Sequence, residues 1–187
     1  VVVPSNPYDA KGLLMSAIQE DNLVVFSEDK TLLGQKGNVP EEPYTIEIGK
    51  ANVTREGDDL TIVAIGKMVA VAEETAEKLA EDQVSVEVID LRSVSPWDQE
   101  TVLDSVKKTG RLIVIDESNP QCNIAGDVAS VIGDVGFDYL DGPIKKVTAP
   151  DTPVPFAANL EAAYMPNADK VLDIASELID DLKKANA

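Results

Sequence analysis

The chain has 187 residues, with 16 lysines and arginines against 34 aspartates and glutamates, a formal net charge of −18, no histidine and one cysteine. That balance argues against nucleic acid or an anionic membrane surface as partner. A single cysteine without histidine excludes an internal disulfide and makes a zinc site very unfavourable.

No apolar run approaches the ~20 residues of a membrane-spanning helix, and a cytoplasmic setting is expected. Without histidine, the usual proton carrier near neutral pH, neither a Ser-His-Asp nor a Cys-His mechanism can be built from this chain alone. The acidic excess has two readings: a solvated surface that keeps the protein soluble, or a patch that docks a basic partner.

Val1-Val2-Val3 has the pattern of a strand, and a chain opening inside a strand is what a fragment or processed chain looks like. Ser5-Asn6-Pro7-Tyr8-Asp9 is turn chemistry, with Asp9 the expected N-cap of a helix over residues 10–20 that turns Leu13, Leu14, Ala17 and Ile18 to one side. Leu23 to Phe26 is expected as a short buried strand. Together these form one parallel strand–helix–strand unit, too small to fold alone. A polar connector with Gly34, Gly37, Pro40 and Pro43 follows over 27–47, and the domain boundary is placed near residue 47, giving segments 1–47 and 48–187.

From Ile48 strands and helices alternate. Leu60 to Ile65 is a strand ending at Gly66, followed by a helix over 68–81 with Ala72, Thr75, Ala76 and Leu79 inward. Val84 to Ile89 is the next strand. Ser95-Pro96-Trp97-Asp98 reads as a helix start with serine at the N-cap and proline at the first helical position, and Gly110 as its stop. Leu112 to Ile115 is wholly apolar, as a central parallel strand should be. A helix over 124–135 and a strand over 144–148 precede four prolines between 150 and 166, which predict a rigid extended crossover. A terminal helix over 167–184 carries Val171, Leu172, Ala175, Leu178, Ile179 and Leu182 at three- and four-residue spacing. The expected fold is three-layer α/β/α with a mostly parallel sheet.

Candidate chemistry is sparse. Gly66-Lys67-Met68 sits where an open parallel sheet takes ligands, but without G-x-G-x-x-G or G-x-x-x-x-G-K-[ST] it reads as a plain strand-to-helix turn. Asp116-Glu117 lacks a third ligand, and its side chains point apart. Cys122 has no basic neighbour to activate it. Arg92, one of three arginines, is expected to pair with a carboxylate in a structural or interface role. The residues alone describe an acidic α/β domain with no self-sufficient active site.

Several words of the chain resemble a known family. Thr148-Ala149-Pro150-Asp151-Thr152-Pro153-Val154-Pro155-Phe156, with Leu160-Glu161 and Tyr164-Met165-Pro166, is similar to the C-terminal signature of the beta subunits of thiamine-diphosphate-dependent 2-oxo-acid dehydrogenases. Pro4-Ser5-Asn6-Pro7-Tyr8-Asp9-Ala10-Lys11-Gly12-Leu13-Leu14 resembles a late helix of their pyrimidine-binding domain. Ile48-Gly49-Lys50-Ala51, Glu87 to Asp98, Ser105 to Arg111 and Phe137-Asp138-Tyr139-Leu140 continue the series. Asn119-Pro120-Gln121-Cys122 is most similar to the acetoin-dehydrogenase branch, whereas Asp151, where that branch commonly has histidine, resembles the pyruvate enzymes.

The resemblance implies that residues 1–47 are the end of the pyrimidine-binding domain and 48–187 a transketolase-C-terminal-like domain. It also implies that the glutamate that activates thiamine and the catalytic histidine lie outside this chain. No catalytic or cofactor-binding residue is therefore expected within it. Thiamine diphosphate and magnesium would be held only in the intact complex. A potassium ion bound through backbone carbonyls would fall, by position, at Ala17, Ile18, Glu20 and Asn22, the alternative being a helix end with its carbonyls in water. The implied partners are an alpha subunit, a second beta subunit in an α2β2 assembly, and the basic subunit-binding domain of an acyltransferase core. Two other functions stand against this: a stand-alone acidic interaction domain, and a transketolase-like enzyme.

Overall fold

The computed structural model describes residues 1–185, with side chains described as far as Ile179. In chain order the elements are α1 (Pro7–Gln19), β1 (Asn52–Arg55), β2 (Leu60–Ala64), α2 (Met68–Glu81), β3 (Val86–Asp90), α3 (Gln99–Thr109), β4 (Leu112–Ile115), α4 (Ile124–Val135), β5 (Lys145–Val147), α5 (Ala158–Tyr164) and α6 (Ala168–Ala185). The strands form one sheet in the order β1-β3-β2-β4-β5. Only β1 runs antiparallel, against β3; the remaining pairs are parallel.

Every residue of β2, β3 and β4 is buried, because helices cover both faces of the sheet. Leu60, Ile62 and Ala64 of β2 pack with Ala72, Ala76 and Leu79 of α2 and Val171, Ala175 and Leu178 of α6. The alternate residue Val63 points the other way, with Leu112 and Val114 of β4, onto Val102 and Val106 of α3 and Ala125, Val128 and Ile132 of α4. These are the three layers expected. Thr61 is the polar exception on the second face, and its hydroxyl is satisfied by those of Ser105 at 2.6 Å and Thr109 at 2.7 Å. Leu182, expected on the inner face of α6, lies outside the described side chains.

Several local expectations are corrected. Helix α1 is capped by Asn6, whose Oδ1 accepts the Asp9 amide at 2.9 Å, with Pro7 in the first turn. Asp9 lies inside the helix and is buried. Leu13 is fully buried, but Leu14 is 45% and Ile18 70% exposed, since α1 meets only a connector on one side. The strands expected at 1–3 and 23–26 shrink to single bridges of Val2 to Phe26 and Ser93, and Leu23 is 94% exposed rather than buried.

The connector does hold to α1. Tyr44 stacks on Tyr8 with ring centroids 4.6 Å apart, the Ser16 hydroxyl donates to the Ile46 carbonyl, and Lys11 donates to the carbonyls of Pro40, Glu41 and Glu42.

Helix α3 starts after Asp98, not Ser95. The Asp98 carboxylate accepts the Thr101 amide at 3.2 Å and its hydroxyl at 2.8 Å, and the Ser95-Pro96 peptide before it is cis. Gly110 ends α3 in the left-handed conformation, φ 70°, as a C-terminal glycine should. The crossover is not extended throughout. Residues 156–165 contain no proline, and α5 forms in that window.

Candidate functional site

The carboxyl ends of β2 and β4 define the one place where the winding of the sheet reverses. From β2 the chain passes through α2 to β3 on one side, and from β4 it passes to β5 on the other. In open α/β sheets the crevice outside such a switch point is where ligands bind. Here it is a cleft of about 340 Å³ whose lining includes Val3, Asp29, Gly66, Lys67, Asp116 and Glu117. Gly66 adopts φ 56° to turn the chain out of β2, a conformation that costs glycine little.

Lys67 is held between two acids, with Nζ 2.8 Å from Glu117 and 3.3 Å from Asp29. Burial alone would lower its pKa, but the hydrogen bonds and charges of Glu117 and Asp29 outweigh that and raise it. For Asp29, burial pushes the carboxyl upward, while Thr31 and Lys67 together hold it below its ordinary value.

Asp116 is 5% exposed. Its Oδ1 accepts the Ser118 amide at 3.0 Å, while its Oδ2 is buried without any hydrogen-bond partner. Asn123 caps α4, accepting the Gly126 amide at 2.7 Å and donating to the Asn119 carbonyl at 2.6 Å. Asn123→Ala is expected to destabilise the protein by about 1 kcal/mol. That should appear as a melting temperature lower by about 2–4 °C. Cys122 is exposed, with φ 52°, and is a free thiol.

The structure thus brings Gly66-Lys67, Asp116-Glu117 and Cys122, which the sequence presents as unrelated, around one cleft. Asp29 and the unpartnered Asp116 oxygen were not foreseeable. The donor to Asp29 comes from 38 positions further along the chain (67 against 29), and orphaned atoms have no sequence signal.

A second polar centre fastens α1 to the sheet. Arg92, just past β3, donates to Asp9 through Nε at 3.0 Å and through the terminal guanidinium at 2.6 Å. This is the carboxylate partner expected for Arg92. Asp90 lies beside it, fully buried, accepting from the Ser5 hydroxyl and the Arg92 amide. Burial pushes its pKa up to about 6. The sequence marks Asp9 only as a helix cap; its pairing with Arg92, 83 positions further on, has no local signal.

Ala17, Ile18, Glu20 and Asn22 lie at the carboxyl end of α1. The helix stops at Gln19, and the Glu20 amide returns to the Ser16 carbonyl at 3.2 Å. A helix ending there leaves its last carbonyls, including those of Ala17 and Ile18, without intrahelical donors. Carbonyl oxygens of that kind are suitable ligands for a hard monovalent cation. Among the described residues no three His, Cys, Asp or Glu groups converge as a metal site. The chain does not fit thiamine diphosphate by itself, since its switch-point cleft sets four carboxylates, those of Glu28, Asp29, Asp116 and Glu117, against the single cation Lys67, and the first amides of α2 are not open to a pyrophosphate. The amides of Met68, Val69 and Ala70 are taken by the carbonyls of Ile65, Gly66 and Lys67.

Comparison with known proteins agrees with this fold. Residues 49–171 match the family model "Transketolase, C-terminal domain". The acetoin:2,6-dichlorophenolindophenol oxidoreductase subunit beta of Bacillus subtilis is 53% identical over 178 residues, covering 95% of this chain and 52% of that protein. The pyruvate dehydrogenase E1 component subunit beta of the same organism is 47% identical over 181 residues, covering 96% and 55%.

A solved split-gene transketolase, an inactive beta4 tetramer, superposes with a TM-score of 0.80 at 24% identity over 96% of this chain and 56% of its own. That likeness is one of fold. The chain spans about half the length of the curated relatives it matches. A single matched domain covering most of the chain, folded as its members fold, places it: the chain belongs to the transketolase C-terminal-domain family.

Proposed function

We propose that this chain is the C-terminal scaffold and assembly region of the beta subunit of a dehydrogenase that cleaves acetoin or decarboxylates a 2-oxo acid and passes the acyl group to lipoamide. The observation that carries this is collinear identity across 95% of the chain with a beta subunit of an acetoin oxidoreductase. Acetoin is favoured over pyruvate as substrate because, within one organism, the acetoin subunit is 53% identical and the pyruvate subunit 47%.

In this reading residues 1–47 are the end of a pyrimidine-binding domain, and 48–187 face a second beta subunit. Thiamine diphosphate and magnesium are held with an alpha subunit, outside this chain. When bound there, thiamine diphosphate supplies the carbanion chemistry; this chain supplies position. The carbonyls of Ala17, Ile18, Glu20 and Asn22 contribute to a potassium site at the end of α1. The acidic surface suits the basic subunit-binding domain of an acyltransferase core. The setting is cytoplasmic.

The test is to co-express the beta subunit with an alpha subunit and follow dichlorophenolindophenol reduction with acetoin and with pyruvate. Acetoin-dependent reduction is expected, and activity with neither substrate, from an assembled complex, would overturn the reading. The 187-residue chain alone is expected to show no heat of binding with thiamine diphosphate and magnesium in calorimetry. Micromolar binding would contradict it.

A further inference from the structure

The loop between the short 3₁₀ turn Phe137–Tyr139 and β5 carries chemistry of its own. The sequence holds one Asp-Gly pair, Asp141-Gly142, and no Asn-Gly pair. In an Asp-Gly pair the backbone nitrogen after the aspartate can reach that residue's own side-chain carboxyl carbon and close a five-membered ring. Glycine favours the closure, because no Cβ obstructs the approach and its backbone turns freely. Nucleophile and electrophile sit on adjacent residues, so no encounter has to be arranged. What decides is whether the fold leaves the pair free.

Here it does. Asp141 is exposed and Gly142 half-buried, and both line an open cavity of about 440 Å³ beside Phe137 and Pro143, so water reaches the pair. The Gly142 amide donates to no acceptor among the described residues. Other exposed aspartates lack this freedom. The amide after Asp138, that of Tyr139, is held by the Gly136 carbonyl at 2.9 Å. The amide after Asp151, that of Thr152, is held by the Pro150 carbonyl at 2.8 Å. The amide after Asp104 lies within α3.

We propose that Asp141-Gly142 is a spontaneous modification site, at which Asp141 converts to isoaspartate through a cyclic imide. The Gly142 nitrogen attacks Asp141 Cγ. A C–N bond forms, the nitrogen gives up its proton, and the hydroxyl of the protonated carboxyl departs, so that one water leaves. Water then adds to either imide carbonyl. Opening at Cγ restores aspartate. Opening at the main-chain carbonyl carbon leaves the chain running through Cβ and Cγ, with the former main-chain carbonyl now a free carboxylate. No oxidant, reductant or other reagent is consumed, and the mass returns to its starting value.

The conversion reshapes the loop. Before the pair, the Asp141 amide donates to the Gly110 carbonyl at 2.8 Å. After it, Ile144 packs against the core shared by α3, α4 and the sheet. Isoaspartate inserts one extra carbon into the main chain between these two anchors, so the loop and the cavity beside it must rearrange. The chemistry needs only this loop, whichever assembly the chain serves.

The experiment ages the full chain at neutral pH and physiological temperature for several weeks, beside a synthetic peptide of residues 137–145. Trypsin releases residues 112–145 as one peptide, in which isoaspartate and aspartate forms separate by chromatography at equal mass. An endoproteinase that cuts before aspartate but not before isoaspartate then locates the change. Isoaspartate is expected at position 141, forming at a rate within about threefold of the free peptide's. Gly142→Ala is expected to slow it at least roughly tenfold. Asp141→Glu keeps the charge but would need a larger ring, and is expected to abolish it. A slower rate in the folded chain than that threefold margin overturns the proposal, as does an undiminished rate in Gly142→Ala or a yield at Asp138 equal to that at Asp141.

Discussion

Arg92→Met is expected to lower the unfolding free energy by about 3–5 kcal/mol, the largest single effect of any substitution considered. The Asp9 side chain is 1% exposed and the Arg92 side chain 13%, so the pair lies largely out of water. Methionine would fill the space of the arginine stem but leave the Asp9 carboxylate buried without its cation, close to a second buried acid, Asp90. Its desolvation would then be repaid only by the Asn6 side-chain amide at 2.8 Å and by backbone dipoles. Both residues would adopt the same left-handed backbone, φ 57° in the native chain, so backbone strain cancels in the comparison.

The pair joins positions 83 residues apart. Its loss should therefore also speed hydrogen exchange in α1 relative to β2–β4. Urea denaturation reads the first effect. A change under about 1 kcal/mol would show that the pair is no more than a surface contact. Adding Asp9→Asn should recover part of the loss, because the uncompensated charge is then gone. The exposed Lys107–Asp104 pair provides the contrast, and its disruption should leave no measurable trace.

The sequence shows the central strands because both faces of the sheet are covered. The run Leu112 to Ile115 has no polar residue to misplace, and Gly110 before it can hardly be anything but a helix stop. The inward face of α2 is equally plain, since Ala72, Ala76 and Leu79 recur at helical spacing. Periodicity could not say whether an apolar face has a neighbour. Leu14 and Ile18 sit on the expected side of α1, yet only Leu13 finds a core.

Caps were ambiguous where two candidates lay within one turn. Asn6 displaced Asp9, and Asp98 displaced Ser95, because the side chain that reaches the free amides is decided by backbone angles. Proline counting overreached for a related reason: the ten residues from Phe156 to Met165 carry none and can form a short helix. The switch-point cleft was half visible. Gly66-Lys67 and Asp116-Glu117 were both recognisable as strand-end pairs. That they face each other follows from the strand order, which pairing decides and composition does not.

The last large effect concerns Asp90 and pH. Burial pushes this carboxyl up to about 6, against 3.8 without the fold; the Ser5 hydroxyl and the Arg92 amide and charge pull it back only in part, and the charge of Asp9 adds to the rise. An acid with a raised pKa binds its proton more readily folded than unfolded. Its contribution to stability therefore grows as pH falls from about 6 to 3.8 and is lost as pH rises through that window. At about 1.4 kcal/mol per pH unit, the full swing is about 3 kcal/mol.

The wild-type curve alone will not show this cleanly. Asp29 and Asp98 are held below their ordinary values and contribute in the opposite sense, losing stabilisation as pH falls. Asp90→Asn isolates the effect, because asparagine mimics the neutral acid, still accepts from the Arg92 amide, and can donate to the Ser5 oxygen. At pH 8 the variant should be more stable than wild type, by up to about 3 kcal/mol, and the two should converge as the pH approaches 4. Urea denaturation of both proteins across that range decides it. A difference that stays constant with pH would mean that Asp90 does not titrate in the window, and that its worth lies only in its hydrogen bonds to Ser5 and Arg92.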